Sequence, residues 1–286
     1  MDLLCGFGPI KVLFKALPCH KVWPFWSWKL DQYKIESGET NIVVDYEEQL
    51  LFPQGELVFE DEQGCIIRQI YALADGRLLW QQTDKKTGTC QLQYIVSADR
   101  KSITLTSDRS DTVGMGAFES LAFLIFYLFI YQKVLTFHGV LIEERGRGFL
   151  VCAESGIGKT THARLWRDYK NALIINGDRA TCFESNGSWY GFGTPWCGTS
   201  GENINRTVKL QAVVILDRGE QNEVTKETGM SLLNFAVYPS WSREMTEEML
   251  SLLDRFLEKL PILRLQCTKD VRSVDTLYGA LENIPL

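Results

Sequence analysis

The chain has 286 residues, 45% of them hydrophobic and 12% aromatic, enough to fill one large core or two modest ones and too apolar for a disordered chain. Thirty-six acidic residues against 30 basic ones leave a net charge of −6, which excludes the global positive field of a nucleic-acid-binding protein. The eight cysteines are scattered without a CxxC pair, and no histidine stands at metal-ligand spacing. Zinc and a disulfide framework are therefore not expected, and free thiols in a reducing, cytoplasmic compartment are.

The N-terminal residues Met1-Asp-Leu-Leu-Cys5 carry neither a basic segment nor a small-residue cleavage site, so no signal peptide is expected. Residues 23–28 (WPFWSW) are read first as core, with a partner surface or an interfacial anchor as alternatives. Residues 31–110 read as an antiparallel meander. Short β-branched and aromatic runs at 41–47, 48–52, 56–60, 65–73, 77–82, 90–98 and 102–107 are parted by turns such as Pro53-Gln-Gly55 and Asp75-Gly76. No chemistry is visible there, so the segment is expected to be structural or to serve recognition.

The character changes near Gly114. A helix is expected over 117–133, and its eleven-residue apolar run 121–131 (LAFLIFYLFIY) is closely bounded by Glu119 and Lys133. A membrane span needs about 20 such residues, so this helix belongs in a protein core and no membrane span is expected. Two strands, 137–143 and 148–153, flank a turn short enough only for a hairpin. A helix over 159–169, a strand at 172–176, a second hairpin (180–183 and 189–192), a polar loop at 193–205 and an apolar strand at 208–216 follow. Residues 244–260 place Met245, Met249, Leu252, Leu253, Phe256 and Leu260 at helical spacing. A strand at 262–267 and a helix at 270–281 end the chain.

The segment Ala153-Glu154-Ser155-Gly156-Ile157-Gly158-Lys159-Thr160-Thr161 matches the phosphate-binding pattern GxxxxGK[ST] except for alanine in first place. Gly156 and Gly158 let the backbone turn tightly enough to aim N–H groups of Glu154 through Thr161 at phosphate oxygens. The helix that starts at Lys159 adds the positive end of its dipole. Lys159 can reach the β- and γ-phosphates of ATP or another purine triphosphate, and the Thr160 hydroxyl can ligate Mg²⁺. Asp178, at a strand end soon after, can hold the metal or accept a proton from an attacking hydroxyl. A lone His138 on a strand reads by itself as a satisfied core residue. Arg206 and Lys209 read as solvated loop charges or charge stabilisers.

The hairpin that leads into the glycine loop, with His138-Gly139 on its first arm and Asn176-Gly-Asp-Arg179 beyond, resembles the HPr kinase/phosphorylase catalytic domain (the HPr serine kinase C-terminal domain). It also resembles a relative of that domain, phosphoenolpyruvate carboxykinase. The resemblance covers roughly residues 116–286 and departs from the pattern at Gly177, where an acid is expected, and at Gly193-Thr-Pro-Trp196. It implies that Lys159 binds the β/γ-phosphates, Thr160 and Asp178 hold the metal, and Asp178 is the base for an acceptor hydroxyl. It further implies that His138 lies near the transferred phosphate and that the loop to Lys209, with Arg206, closes over the site.

The chain is therefore expected to be α+β, with an antiparallel β-rich N-terminal domain over 1–115 and an HPr-kinase-like P-loop domain over 116–286. Its expected activity is ATP- and Mg²⁺-dependent transfer of phosphate to a Ser/Thr-type hydroxyl on a small protein, peptide or amino acid, with peptide modification as the setting. A nucleotide hydrolase and a catalytically weakened nucleotide-sensing module are the alternatives. A homo-oligomer is compatible with the sequence.

Overall fold

Alternation of buried and half-buried residues defines the first two strands, β1 (Leu3–Phe7) and β2 (Ile10–Phe14), joined by a tight turn at Gly8, whose φ is +53°. The sequence pattern did not single them out. The computed structural model describes residues 2–16, 23–49, 51–52, 54–106 and 115–285; Met1, Cys19, Pro53 and the change of character at Gly114 lie outside them. Helix α1 (Trp23–Leu30) follows, burying Trp26 and Leu30 and leaving Trp28 68% exposed, so the aromatic cluster is only partly core. Then come β3 (Ile42–Glu47), β4 (Glu56–Gln63), β5 (Ile66–Ala72), β6 (Leu78–Asp84), β7 (Cys90–Val96), β8 (Ser102–Thr106) and α2 (Met115–Tyr131).

The strands form one eight-stranded sheet in the order β1-β2-β3-β8-β7-β6-β5-β4. Strands β4 to β8 are the expected antiparallel meander. The sheet as a whole is mixed, because β3 runs parallel to both β2 and β8. Parallel neighbours need a crossover; α1 supplies one and the meander itself the other, and a pattern of alternating residues carries no strand direction. The strand expected at 48–52 is absent among its described residues. Gln49 N bonds back to Glu47 O, and Leu51 N bonds to the Gln93 side chain instead of a ladder.

Helix α2 packs with this sheet. Phe118 meets Trp26 at 5.2 Å, Phe123 stacks on Trp241 at 4.9 Å, and the Tyr94 hydroxyl donates to Ala117 O. The chain accordingly divides after α2, not at 115/116: one compact unit is Met1–Gln132 with Pro239–Arg243, the other Lys133–Tyr238 with Glu244–Leu286. Among the described residues no helix is long and apolar enough to cross a membrane.

The second unit opens with the expected hairpin, β9 (Val134–Glu144) and β10 (Arg147–Cys152), turning at Arg145 and Gly146, both with positive φ. Helix α3 (Lys159–Lys170), β11 (Leu173–Asn176), β12 (Arg179–Ser185), β13 (Ser188–Phe192), β14 (Thr207–Arg218), β15 (Glu223–Lys226), α4 (Arg243–Lys259), β16 (Ile262–Cys267) and α5 (Arg272–Glu282) follow. Pairing runs β10-β9-β12-β13-β14, and β14 then pairs β10 in parallel, closing a ring; β16 and β15 extend beyond β14. Helices α3 and α5 cover one core, where Trp166, Ala163, Val274 and Leu277 meet Val140, Val151 and Val214. Helix α4 covers another part of the unit, with Phe256 at 5.2 Å from Phe137 and 4.9 Å from Trp189. The protein is thus a mixed α+β, sheet-rich chain with few helices.

Candidate active site

Between β10 and α3 the backbone turns on Gly156, at φ +78°, and Gly158, at φ +127°, both in the left-handed region that disfavours a side chain. A Cβ added at either glycine would meet nothing within 4 Å, so the space in front of the turn is open. The first N–H groups of α3 face that end without intrahelical partners, and Gly158 gives no side-chain cap. Lys159 folds back and its Nζ donates to Ala153 O at 2.6 Å, closing the loop on itself. Burial holds the Lys159 ammonium below its usual pKa, although Cys152, Asp178 and Glu154 pull the other way. Arg218, at the end of the parallel neighbour β14, donates from Nη2 to Gly156 O at 2.5 Å. Glu154, Ser155 and Thr161 are exposed, and Ile157 and Thr160 are half-buried.

Asp178 sits at a break in a strand. Strands β11 and β12 lie end to end along the same edge of β9, and the register slips between them. Buried Asn176 forms the break: its Oδ1 accepts from Asp178 N at 3.0 Å and Arg179 N at 2.7 Å, an Asx-type turn. The Asn176 Nδ2 donates to Thr194 O at 3.0 Å and to Trp196 O at 3.2 Å, tying the break to the following loop. Gly139 N donates to Asp178 O at 3.0 Å, so the residue is clamped beside the β9 arm whose Gly139 pairs with Cys152.

The Asp178 carboxylate lies 3.2 Å from His138 Nδ1 and 3.3 Å from Arg179 Nη1. Arg179 Nη1 is itself 2.8 Å from His138 Nδ1. It donates to the neutral ring, whereas a protonated ring donates to Asp178 instead. Burial pushes the Asp178 pKa up, but the His138 hydrogen bond and the positive charges of Arg179, His138 and Lys159 outweigh it and hold the carboxyl below its usual value.

The loop after β13 leans on this carboxylate. A Cβ at Gly198 would stand 2.6 Å from Asp178 Oδ2, and one at Gly177 would stand 2.2 Å from Ser200 Oγ. An acid at 177 has no room while Ser200 is seated, which accounts physically for the glycine there. Gly177 N donates to Glu202 O at 2.9 Å, and the Glu202 carboxylate takes Arg167 of α3 at 2.7 Å. Trp196 and Cys197 are buried in the loop's footing.

The structure thus brings Lys159, Asp178 and His138 to one end of β9 and β10, with Thr160 in the first turn of α3. Arg206 is not with them. It makes a two-pronged ion pair with Glu143, which pairs with Gly148 at the opposite end of the hairpin from Gly139 and Cys152. Lys209 lies in β14 opposite Tyr190. Arg179, Asn176 and Arg218 are the site residues that sequence reasoning left without a role. Arg179 was in view beside Asp178, but only strand pairing brings Arg218 to the glycine loop.

No protein-family model matches the chain, and no curated protein does. Among solved structures, the HPr(Ser) kinase/phosphatase from Coxiella burnetii is similar over 52% of this chain and 99% of that one, with 12% sequence identity and a TM-score of 0.31. It is a distant likeness. The chemistry has to be read from the residues themselves.

Oxygen donors suited to a hard cation are present in the Thr160 hydroxyl and the Asp178 carboxylate. Among the described residues no group of three or more His, Cys, Asp and Glu side chains forms an all-protein metal site. Oxygen donors of this kind suit a hard cation better than they suit zinc.

Proposed function

We propose that the second unit binds a purine nucleoside triphosphate, ATP foremost, on a P-loop formed by Ala153–Thr161 and transfers its terminal phosphate to a hydroxyl. The acceptor class is a Ser/Thr-type hydroxyl of a small protein, a peptide or an amino acid. The observation that carries the reading is the pairing of an open glycine turn at the start of α3 with a carboxylate, Asp178, clamped to Gly139 of the strand that pairs with the one leading into that turn.

The turn's N–H groups and Lys159 supply fixed positive potential for phosphate oxygens, which is most of what phosphoryl transfer asks of a protein. Mg²⁺, held by Thr160 and Asp178, would neutralise phosphate charge. Asp178, kept ionised by its cationic neighbours, accepts the proton of the attacking hydroxyl. His138 and Arg179 orient that carboxylate, and the Arg179 guanidinium keeps a positive charge beside it. The alcohol proton becomes acidic only as the new O–P bond forms, so a low-pKa base suffices. The half-buried Ile157, with Leu165, Leu216 and Arg218, borders a shallow cleft on the helix side of the turn.

The test is incubation with γ-labelled ATP and Mg²⁺ in the presence of candidate proteins, peptides and free serine or threonine, followed by mass analysis. The expected result is a phosphate ester on an added acceptor, abolished by a chelator and by Lys159→Ala. ADP release with no acceptor present supports a hydrolase instead. Nucleotide binding with no turnover in any arm overturns the transferase reading in favour of a binding module.

A further inference from the structure

The segment Gly198-Thr199-Ser200 lies against Asp178, and three independent anchors hold it there. Gly198, with φ +57°, lies so close that a Cβ would stand 2.6 Å from Asp178 Oδ2. The Ser200 hydroxyl is seated against the Gly177 Cα, next in the chain to Asp178; it donates to Cys197 O at 2.6 Å and accepts from Glu202 N at 3.3 Å. Glu202 bonds to Arg167 on α3, the helix whose start forms the glycine turn. The segment therefore spans from the carboxylate to the helix that presents the phosphate-binding end. A hydroxyl carried by this chain is therefore held beside Gly177, the residue before Asp178, on a segment whose Gly198 lies against the carboxylate.

We infer that Ser200 is an internal phosphate acceptor, so that the protein phosphorylates its own loop. This rests on the transferase reading above and names one acceptor for it. In the step, rotation about χ1 releases Ser200 Oγ from Cys197 O. The Oγ–H bond then breaks with its proton passing to an Asp178 oxygen, an Oγ–Pγ bond forms, and the bond from Pγ to the β,γ-bridging oxygen breaks. The electron pair leaves with the nucleoside diphosphate. No co-reactant beyond the magnesium-bound nucleoside triphosphate is needed. The product places a phosphate of charge about −2 on the segment that leans on Asp178.

The full-length chain, incubated with Mg²⁺ and ATP alone, is digested and mapped by mass spectrometry. One phosphate on Ser200 is expected, formed with a rate constant unchanged by a hundredfold dilution of the protein, as an intramolecular step requires. It is expected to be absent in Ser200→Ala, restored on the new hydroxyl in Ser200→Thr, and slowed about a hundredfold or more in Asp178→Asn. The Ser200→Ala variant is expected to keep its affinity for a fluorescent ATP analogue, which separates loss of the acceptor from loss of the fold. An unmodified Ser200 in protein that binds the analogue overturns the inference. So does phosphate confined to Thr199 or to another residue, or a rate that scales with protein concentration. If an added acceptor is labelled while Ser200 is not, the transferase reading stands and this inference alone fails. If the analogue does not bind, both fail.

Discussion

Replacing Gly177 with alanine should unseat the loop that covers Asp178, and the size of the effect can be worked from its neighbours. Gly177 does not have the positive φ of a glycine-requiring turn, so alanine pays nothing in backbone conformation and the whole effect is steric. The new methyl would stand 2.2 Å from Ser200 Oγ and 2.8 Å from Ser200 Cβ, both closer than a carbon tolerates, whereas its next neighbour, Glu202 O, is at an ordinary 3.4 Å. Overpacking of this kind costs about 1–3 kcal/mol. For a unit of this size that lowers its melting temperature by roughly 2–12 °C. Ser200→Gly removes both clashing atoms, so in that background Gly177→Ala should cost less than about 0.5 kcal/mol, the range of an uncoupled substitution. The assay is a double-mutant cycle by thermal and chemical denaturation, read on the transition of the second unit. A coupling energy under about 0.5 kcal/mol would show that Ser200 does not fill the space beside Gly177 and would remove the footing of the loop on Asp178.

Asp178→Asn is expected to lower phosphate transfer about 10²- to 10⁴-fold while nucleotide binding persists, measured by transfer rate and analogue affinity; an unaltered rate would take the base role from Asp178. Arg206→Ala should leave transfer unchanged but cost about 1–3 kcal/mol in denaturant unfolding, because Glu143, only 5% exposed, loses its partner; a large drop in transfer with unchanged stability would return Arg206 to the site. His162 is buried, accepts from Trp166 Nε1 at 3.0 Å, and burial pushes its pKa down to about 4. Its folded value lies below its unfolded one, so the unfolded chain binds the extra proton and stability falls as pH drops from about 6.5 to about 4, by up to about 3 kcal/mol. His162→Gln should flatten that slope in urea titrations, and an equal slope in both proteins would refute the assignment.

Much of the second unit was legible because its signals are local. The hairpin turn at Arg145-Gly146, the glycine turn before Lys159 and the periodic stripe from Met245 to Phe256 each write their conformation into a few consecutive residues. What was not legible depends on pairing between distant segments. Nothing around Arg206 announces Glu143 as its partner, and nothing around Arg218 places it under Gly156. The parallel alignment of β3 with β2 and β8 is silent in a pattern of alternating residues, since alternation fixes faces and not direction. Strand β1 carries Cys5 and Gly6 and β2 opens two residues beyond Gly8, so their brevity hid a hairpin that structure makes plain. Helix α2 was read correctly as buried, but its own composition did not say which unit it serves; Trp26, Tyr94 and Trp241 decide that.

The ring of strands in the second unit has a consequence for how the two halves of the site can move. Strand β10 is hydrogen-bonded along both edges, to β9 and to β14, so it has no edge from which to fray. Amides of Leu150 and Val151 should exchange with deuterated solvent only when the whole unit opens, which makes them the slowest-exchanging reporters in it. The break at Gly177 and Asp178 has no such double protection, being held by the Asn176 side chain, the single bond from Gly139 N to Asp178 O and the loop beyond it. The glycine turn before α3 therefore leads directly out of the part of the unit that opens last. The Asp178 carboxylate is built on a part that opens locally, so its surroundings can rearrange while the glycine turn stays in place.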